Sequence, residues 1–124
     1  MNLSSVAGIR QHLGRPQAAY SASKAAIIEL SHSIAIQHAR DGIRCNTVVP
    51  GLMHTPLVEA RLAHQIAGGD AGALVASRAA KVPVGRQGDA WDVAHAILFL
   101  VSGEASYITG AEIVVDGGYR LATP

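Results

Sequence analysis

The chain has 124 residues, 49% apolar and 15% charged, which is one domain's worth and excludes a disordered chain. A formal charge of +1 with no basic run carries no nucleic-acid signature, and the apolar runs fall short of the ~20 residues of a membrane helix. The single cysteine, Cys45, excludes an internal disulfide and a multi-cysteine metal site. The first residues lack the basic and apolar regions of a secretory signal, so a cytoplasmic location is expected. In chain order, Asn2–Gly8 reads as the end of a short strand running into a small-residue turn. Residues 9–17, broken by Gly14 and Pro16, read as a loop. A long helix is predicted over Ala18–Arg40, with Ile27, Leu30, Ile34 and Ala35 at helical spacing. Arg40 suits its C-terminal dipole and Asp41-Gly42 supplies the stop.

Ile43–Val49 is β-branched, reads as a strand, and ends at Pro50-Gly51. A helix is predicted over about Pro56–Gln65, an interruption at Gly68-Gly69-Asp70, and a second helix over about Ala71–Ala80. After a loop with Pro83, Gly85 and Gly88, Asp89 is a good N-cap and Asp92 completes a weak capping box. The helix that follows places Val93, Ala94, Ile97, Leu98 and Val101 on one face and stops at Gly103. Glu112–Asp116 is a last strand, closed by Gly117-Gly118. The order β-α-β-(α)-α-β predicts an α/β fold of about three parallel strands with covering helices.

Tyr20 and Lys24 stand four apart on the long helix, so their side chains share one face. An ammonium beside a phenol favours the phenolate and makes the tyrosine usable for proton transfer near neutral pH. Alone the spacing is weak, and its ordinary meaning is a helix-surface pair. The remaining candidates are plainer. Cys45 in an apolar strand is expected in the core, and Trp91 in the first turn of a helix is expected to pack. The six histidines make no metal-ligand pair, and no Gly-x-Ser-x-Gly elbow surrounds Ser5.

Context raises the weight of the Tyr–Lys pair. Ser4-Ser5-Val6-Ala7-Gly8 precedes it, Ala19-Tyr20-Ser21-Ala22-Ser23-Lys24 contains it, and Asn46-Thr47-Val48-Val49-Pro50-Gly51 with Thr55 follows. The chain then closes with Thr109-Gly110 and Asp116-Gly117-Gly118. These motifs, in this order, resemble the short-chain dehydrogenase/reductase family over essentially the whole chain. The resemblance implies a Rossmann-like fold and hydride transfer between NAD or NADP and a small-molecule alcohol or carbonyl substrate. It implies that Ser5 hydrogen-bonds the substrate oxygen, with Ser4 the alternative. Ser5 is preferred because it directly precedes the Val-x-Gly turn. Tyr20 would exchange a proton with that oxygen. Lys24 would lower the tyrosine pKa and bind the nicotinamide ribose. Pro50, Gly51, the Met53 backbone and Thr55 would hold the nicotinamide end. The family's surfaces around the long helix and the last helix and strand imply a homo-oligomer, a dimer or a tetramer.

Two departures from the family matter. Ser5 to Tyr20 is about two residues longer than usual, which places the extra residues in the Arg10–Arg15 loop facing substrate. None of the thirteen glycines forms Gly-x-x-x-Gly-x-Gly or Gly-x-Gly-x-x-Gly, the loop that would grip a pyrophosphate. The chain therefore resembles the C-terminal half of a doubly wound domain, with residues 1–124 the catalytic half and the glycine-loop half absent. Little or no dehydrogenase activity is expected of it alone. The alternative is a non-catalytic remnant or oligomerisation module. The long helix is apolar on more than one side, with Ile27, Ile28, Leu30, Ile34 and Ile36 spread around it. An oligomeric, molten or poorly soluble chain is expected.

Overall fold

Three short strands lie side by side: β1 (Asn2–Leu3), β2 (Thr47–Pro50) and β3 (Glu112–Val115). This computed structural model describes residues 1–11, 16–58, 60 and 70–122. The strands run in the order β1-β2-β3 across one sheet, and both pairings are parallel, Asn2 beside Thr47 and Thr47 beside Glu112. Parallel neighbours require crossovers, and helices supply them. Helix α1 (Ala18–His38) joins β1 to β2, and α2 (Ala71–Ala79) and α3 (Ala90–Val101) lie between β2 and β3. This is the predicted order. None of the described helices is long and apolar enough to cross a membrane.

The central strand is the buried one. Thr47, Val48 and Val49 are all buried, as expected of a strand covered on both faces. Because side chains alternate, Val48 points one way and Thr47 and Val49 the other. Val48 joins Val93 and Leu100 of α3 and Ala105 in the apolar core, with Met53, Ile97, Ile108, Ile113 and Val115 packed around them. The opposite face lies under α1.

Strand β2 begins four residues later than Ile43. At this end side chains reinforce the backbone bonds, among them that of the Gly110 amide to the Cys45 carbonyl at 2.7 Å. Arg44 Nη1 donates to the carbonyls of Leu100 (2.9 Å) and Ile108 (3.2 Å), and its Nη2 to that of Ser102 (3.2 Å). Asn46 donates to the Ile108 carbonyl at 2.9 Å and accepts from the Ala111 amide at 2.9 Å. Cys45 is buried, as expected, and its amide donates to the Thr109 hydroxyl at 3.1 Å.

Both helix faces turn out rotated from their predicted positions. On α1 the buried residues are Ser21, Ile28, Ser31 and Ala35, while Leu30 is 56% exposed. Small serines let the helix lie close to the sheet, and the Ser31 hydroxyl finds partners on both sides. Ser31 donates to the Ile27 carbonyl at 2.7 Å and accepts from Asn2 Nδ2 at 2.8 Å. On α3 the core side is Val93, Ala96, Ile97 and Leu100, whereas Leu98 and Val101 are exposed. That helix is apolar on nearly every side, so periodicity alone does not select the face that meets the sheet. Trp91 is 71% exposed rather than packed inside, its ring 6.5 Å from that of His95.

The helix starts follow local rules. Asp89 Oδ1 accepts from the Trp91 and Asp92 amides at 2.7 and 3.0 Å, and Asp92 Oδ2 accepts from the Asp89 amide at 2.9 Å, a complete capping box. Asp70, predicted as part of an interruption, is the N-cap of α2 and accepts from the Ala73 amide at 2.9 Å. The helix predicted from Pro56 opens with a turn in which the Val58 amide donates to the Thr55 carbonyl at 2.9 Å. Its continuation toward Gln65 lies mostly outside the described residues.

Candidate active site

The carboxyl ends of β1 and β2 converge on one region, the end of a parallel sheet where α/β proteins place ligands. Ser4 extends the β1 ladder by one bond, its amide donating to the Val48 carbonyl at 2.9 Å. Ser5 follows, in extended conformation, as the N-cap of a 3-10 turn over Val6–Gly8. Its hydroxyl accepts from the Ala7 amide at 3.2 Å. The two serines are in different environments. Ser4 is buried and donates its hydroxyl proton to the Lys24 carbonyl at 2.8 Å, whereas Ser5 is half-buried at the rim.

Gly8 brings this turn against α1. A β-carbon there would lie 2.9 Å from the Lys24 carbonyl carbon and the Ala25 nitrogen, so only glycine permits the approach. Tyr20 sits in the first turn of α1 and is 46% exposed. Lys24 lies one turn on, its Nζ 5.8 Å from the centroid of the Tyr20 ring, within cation–π range. The same Nζ donates to the Leu3 carbonyl at 3.1 Å. The ammonium is thus pinned between β1 and the phenol. Of its three donors, that to Leu3 is the one spent among the described residues.

The second group of predicted residues lies beyond β2. Pro50 pairs with Val115, and the Gly51 amide donates to the Val115 carbonyl at 2.9 Å. A β-carbon at Gly51 would meet that of Asp116 at 2.5 Å, so the chain can turn there only without a side chain. Met53 forms a parallel bridge with Gly88, in which the Gly88 amide donates to the Leu52 carbonyl (3.1 Å) and the His54 amide to the Gly88 carbonyl (2.7 Å). Half-buried Thr55 then precedes Pro56, the first helical residue, where proline is well tolerated. Residues 50–55 form a shelf stitched on one side to β3 and on the other to the 87–88 turn.

Three features of this region lie outside the site residues that the sequence points to, although Asp116 stands in the closing Asp116-Gly117-Gly118 motif. Arg10 Nη1 donates to the carbonyls of Tyr119 (3.3 Å) and Arg120, tying the chain after Ser5 to the C-terminal segment. Asp116 accepts from the Gly118 and Arg120 amides, both at 2.8 Å, and shapes that segment. Arg78 reaches the Met53 carbonyl with Nη2 at 3.3 Å. Each pairs residues far apart in the chain or across a turn of no fixed period. Nearby, Arg86 grips Asp92 through two bonds of 2.7 and 3.1 Å. That guanidinium and the Asp89 amide hold the Asp92 carboxyl down to about 2. His12 and the rest of the predicted substrate loop at 12–15 lie outside the described residues.

Fold and site together define a Rossmann-type α/β protein. Residues 1–120 match the family described as enoyl-(acyl carrier protein) reductase. The chain is 39% identical over 119 residues to a 2-(R)-hydroxypropyl-CoM dehydrogenase of Xanthobacter autotrophicus, covering 96% of this chain and 44% of that protein. It superposes on the aldohexose dehydrogenase of Thermoplasma acidophilum with a TM-score of 0.89 at 37% identity, covering 99% of this chain and 48% of the other. An oxidoreductase of the short-chain dehydrogenase/reductase family from Burkholderia thailandensis matches with a TM-score of 0.83 at 37% identity, over 98% and 44%. The chain belongs to the short-chain dehydrogenase/reductase family, a lineage of oxidoreductases. It spans about half the length of the relatives it matches.

Proposed function

We propose that this chain is the substrate- and nicotinamide-side half of an NAD- or NADP-dependent oxidoreductase acting on an alcohol/carbonyl pair, with Tyr20 as its acid/base. The observation that carries the reading is the Lys24 ammonium, held 5.8 Å from the Tyr20 ring by its bond to the Leu3 carbonyl. Tyr20, exposed beside that ammonium, is placed to give a proton to a carbonyl oxygen or take one from an alcohol. Ser5, at the rim beside this pair, donates a hydrogen bond to the same oxygen and orients it. Ser4 is unsuited to that task, because its hydroxyl is committed to the Lys24 carbonyl.

The residues present fit the nicotinamide end of a dinucleotide. Lys24 has donors left over for ribose hydroxyls, and the Pro50–Thr55 shelf offers backbone and the Thr55 hydroxyl at the same end of the sheet. The cofactor, when bound, would give a hydride to the carbonyl carbon or accept one from the alcohol carbon. The pyrophosphate would be gripped by a glycine-loop half, since no glycine spacing in residues 1–124 provides one. Exposed Leu3, Leu30 and Ile36 fit burial against that half or against another copy in a dimer or tetramer. They equally favour the second reading, a non-catalytic oligomerisation module.

The test is nicotinamide-linked turnover of alcohols when this chain is joined to the matching glycine-loop half of a relative. Tyr20→Phe is expected to lower the rate by about 10²–10⁴-fold. Near-normal turnover in that variant would overturn the acid/base assignment. No turnover by the unsubstituted assembly would favour the module.

A further inference from the structure

Close behind the Met53 shelf lies a charged group with more than nine-tenths of its surface buried. Arg78, in the last turn of α2, is 8% exposed, and so is its partner Gln87. Arg78 Nε donates to Gln87 Oε1 at 2.7 Å and Nη2 donates to the Met53 carbonyl at 3.3 Å. Gln87 Nε2 in turn donates to the Val75 carbonyl at 3.3 Å, closing the circuit back onto α2. Leu74 and Val82, both buried, lie in the same segment. Burying a guanidinium is costly before any bond repays it. An aliphatic side chain would fill the same space without making these bonds, so the guanidinium does more than pack. Its bonds join three segments: helix α2, the 87–88 turn, and the 52–54 backbone that pairs with that turn.

We propose that Arg78, locked in place by Gln87, is a positioning residue that holds the Met53 carbonyl and so sets the backbone of residues 52–54 for the nicotinamide. The inference rests on the nicotinamide-side reading above and deepens it. Helix α2 carries the guanidinium, and the 52–54 backbone carries its acceptor. The Arg78 fork therefore makes that helix and the cofactor shelf move as one piece. A lysine cannot replace it, because one ammonium cannot present the planar fork that meets Gln87 and Met53 together.

The test uses the 124-residue chain, amide hydrogen exchange, and reduced nicotinamide mononucleotide as the probe, since that molecule needs no pyrophosphate grip. The double variant Arg78→Leu/Gln87→Leu removes both buried polar groups together and leaves neither orphaned. In it the His54 and Gly88 amides are expected to exchange about tenfold faster or more, with Val48 and Val49 unchanged, and the probe to bind about tenfold more weakly. Rates at His54 and Gly88 within about twofold of the unsubstituted chain, or an equal acceleration at Val48 and Val49, would overturn the proposal. Should the double variant fail to fold, Arg78→Lys decides. Loosening confined to His54 and Gly88 supports the fork, and full protection there overturns it. If the unsubstituted chain shows no response to the probe, the nicotinamide-side reading fails, and the exchange comparison still judges whether Arg78 holds the shelf.

Discussion

The two faces of the sheet are held by different forces. Under α3 the contact is apolar: Val48, Val93, Leu100 and Ala105 at the centre, Ile97, Ile113 and Val115 around them. Under α1 it is polar and close. Asn2 bonds Ser31, Ser4 bonds the Lys24 carbonyl, Lys24 bonds the Leu3 carbonyl, and His32 Nε2 lies 3.3 Å from Glu112. Apolar burial is strong but non-directional, so it holds α3 without dictating its rotation to a fraction of a turn. Hydrogen bonds are weaker in net free energy but directional. They hold the helix that carries Tyr20 and Lys24 in one register against the strand that leads to Ser5. The face bearing Tyr20 and Lys24 joins this directional network to the buried Ile28 and Ala35 of the same helix.

The contrast can be broken most severely on the apolar side. Leu100 is 2% exposed, and Leu100→Ala is expected to cost about 2–5 kcal/mol of unfolding free energy, measured by denaturant titration. A loss below about 1 kcal/mol would show that the apolar face is not what holds α3.

Arg44 sharpens the comparison at the C-terminal end of α3, where direction matters again. It serves the carbonyls of Leu100, Ser102 and Ile108. Arg44→Met keeps much of the packing and removes the donors. The expected loss is about 1.5–3 kcal/mol, accompanied by faster amide exchange in the last turn of the helix. Unchanged exchange there would assign the residue to surface charge alone.

The polar face also contains one group it fails to satisfy. Thr47 Oγ1 is buried without a hydrogen-bond partner among the described residues. Thr47→Val removes that hydroxyl at nearly constant shape and is expected to stabilise the chain by about 1 kcal/mol. A destabilisation in the same titration would reveal a partner for the hydroxyl.

The smallest effect is expected at the exposed Arg86–Asp92 pair. Asp92 is held at about 2 in the folded chain, first by the Arg86 side chain and then by the Asp89 amide, against an unfolded value near 4. The folded pKa is the lower one, so the native state binds fewer protons. The pair's contribution is complete above about pH 4 and is lost as pH falls toward about 2. Asp92→Asn should flatten that part of the stability-against-pH curve. An identical slope in the variant would place the acid sensitivity elsewhere.

Much of this molecule was legible locally. Helix α1 begins at the predicted Ala18, the Asp89–Asp92 capping box forms, and the last strand begins at the predicted Glu112. Caps, breakers and β-branched runs act over a few residues, so their signals sit side by side in the chain. The Tyr20–Lys24 spacing was legible for the same reason, since a helix of known pitch brings residues four apart together. Packing decided what local signals could not. Leu30 and Leu98 were predicted on the buried faces and point outward, because α1 and α3 are apolar on several sides and only the sheet selects one. Asp70 became a cap rather than a break once α2 formed behind it. Arg44, Arg78 and Gln87 bond partners up to 64 residues away, and no periodicity in a single chain records such distances. The sequence by itself determined the order of elements and the residues available for chemistry, because those depend on backbone preferences and short-range spacing. Only the tertiary structure decided which side of each helix meets the sheet and which buried cation meets the Met53 carbonyl, because those are set by what the folded chain brings into contact.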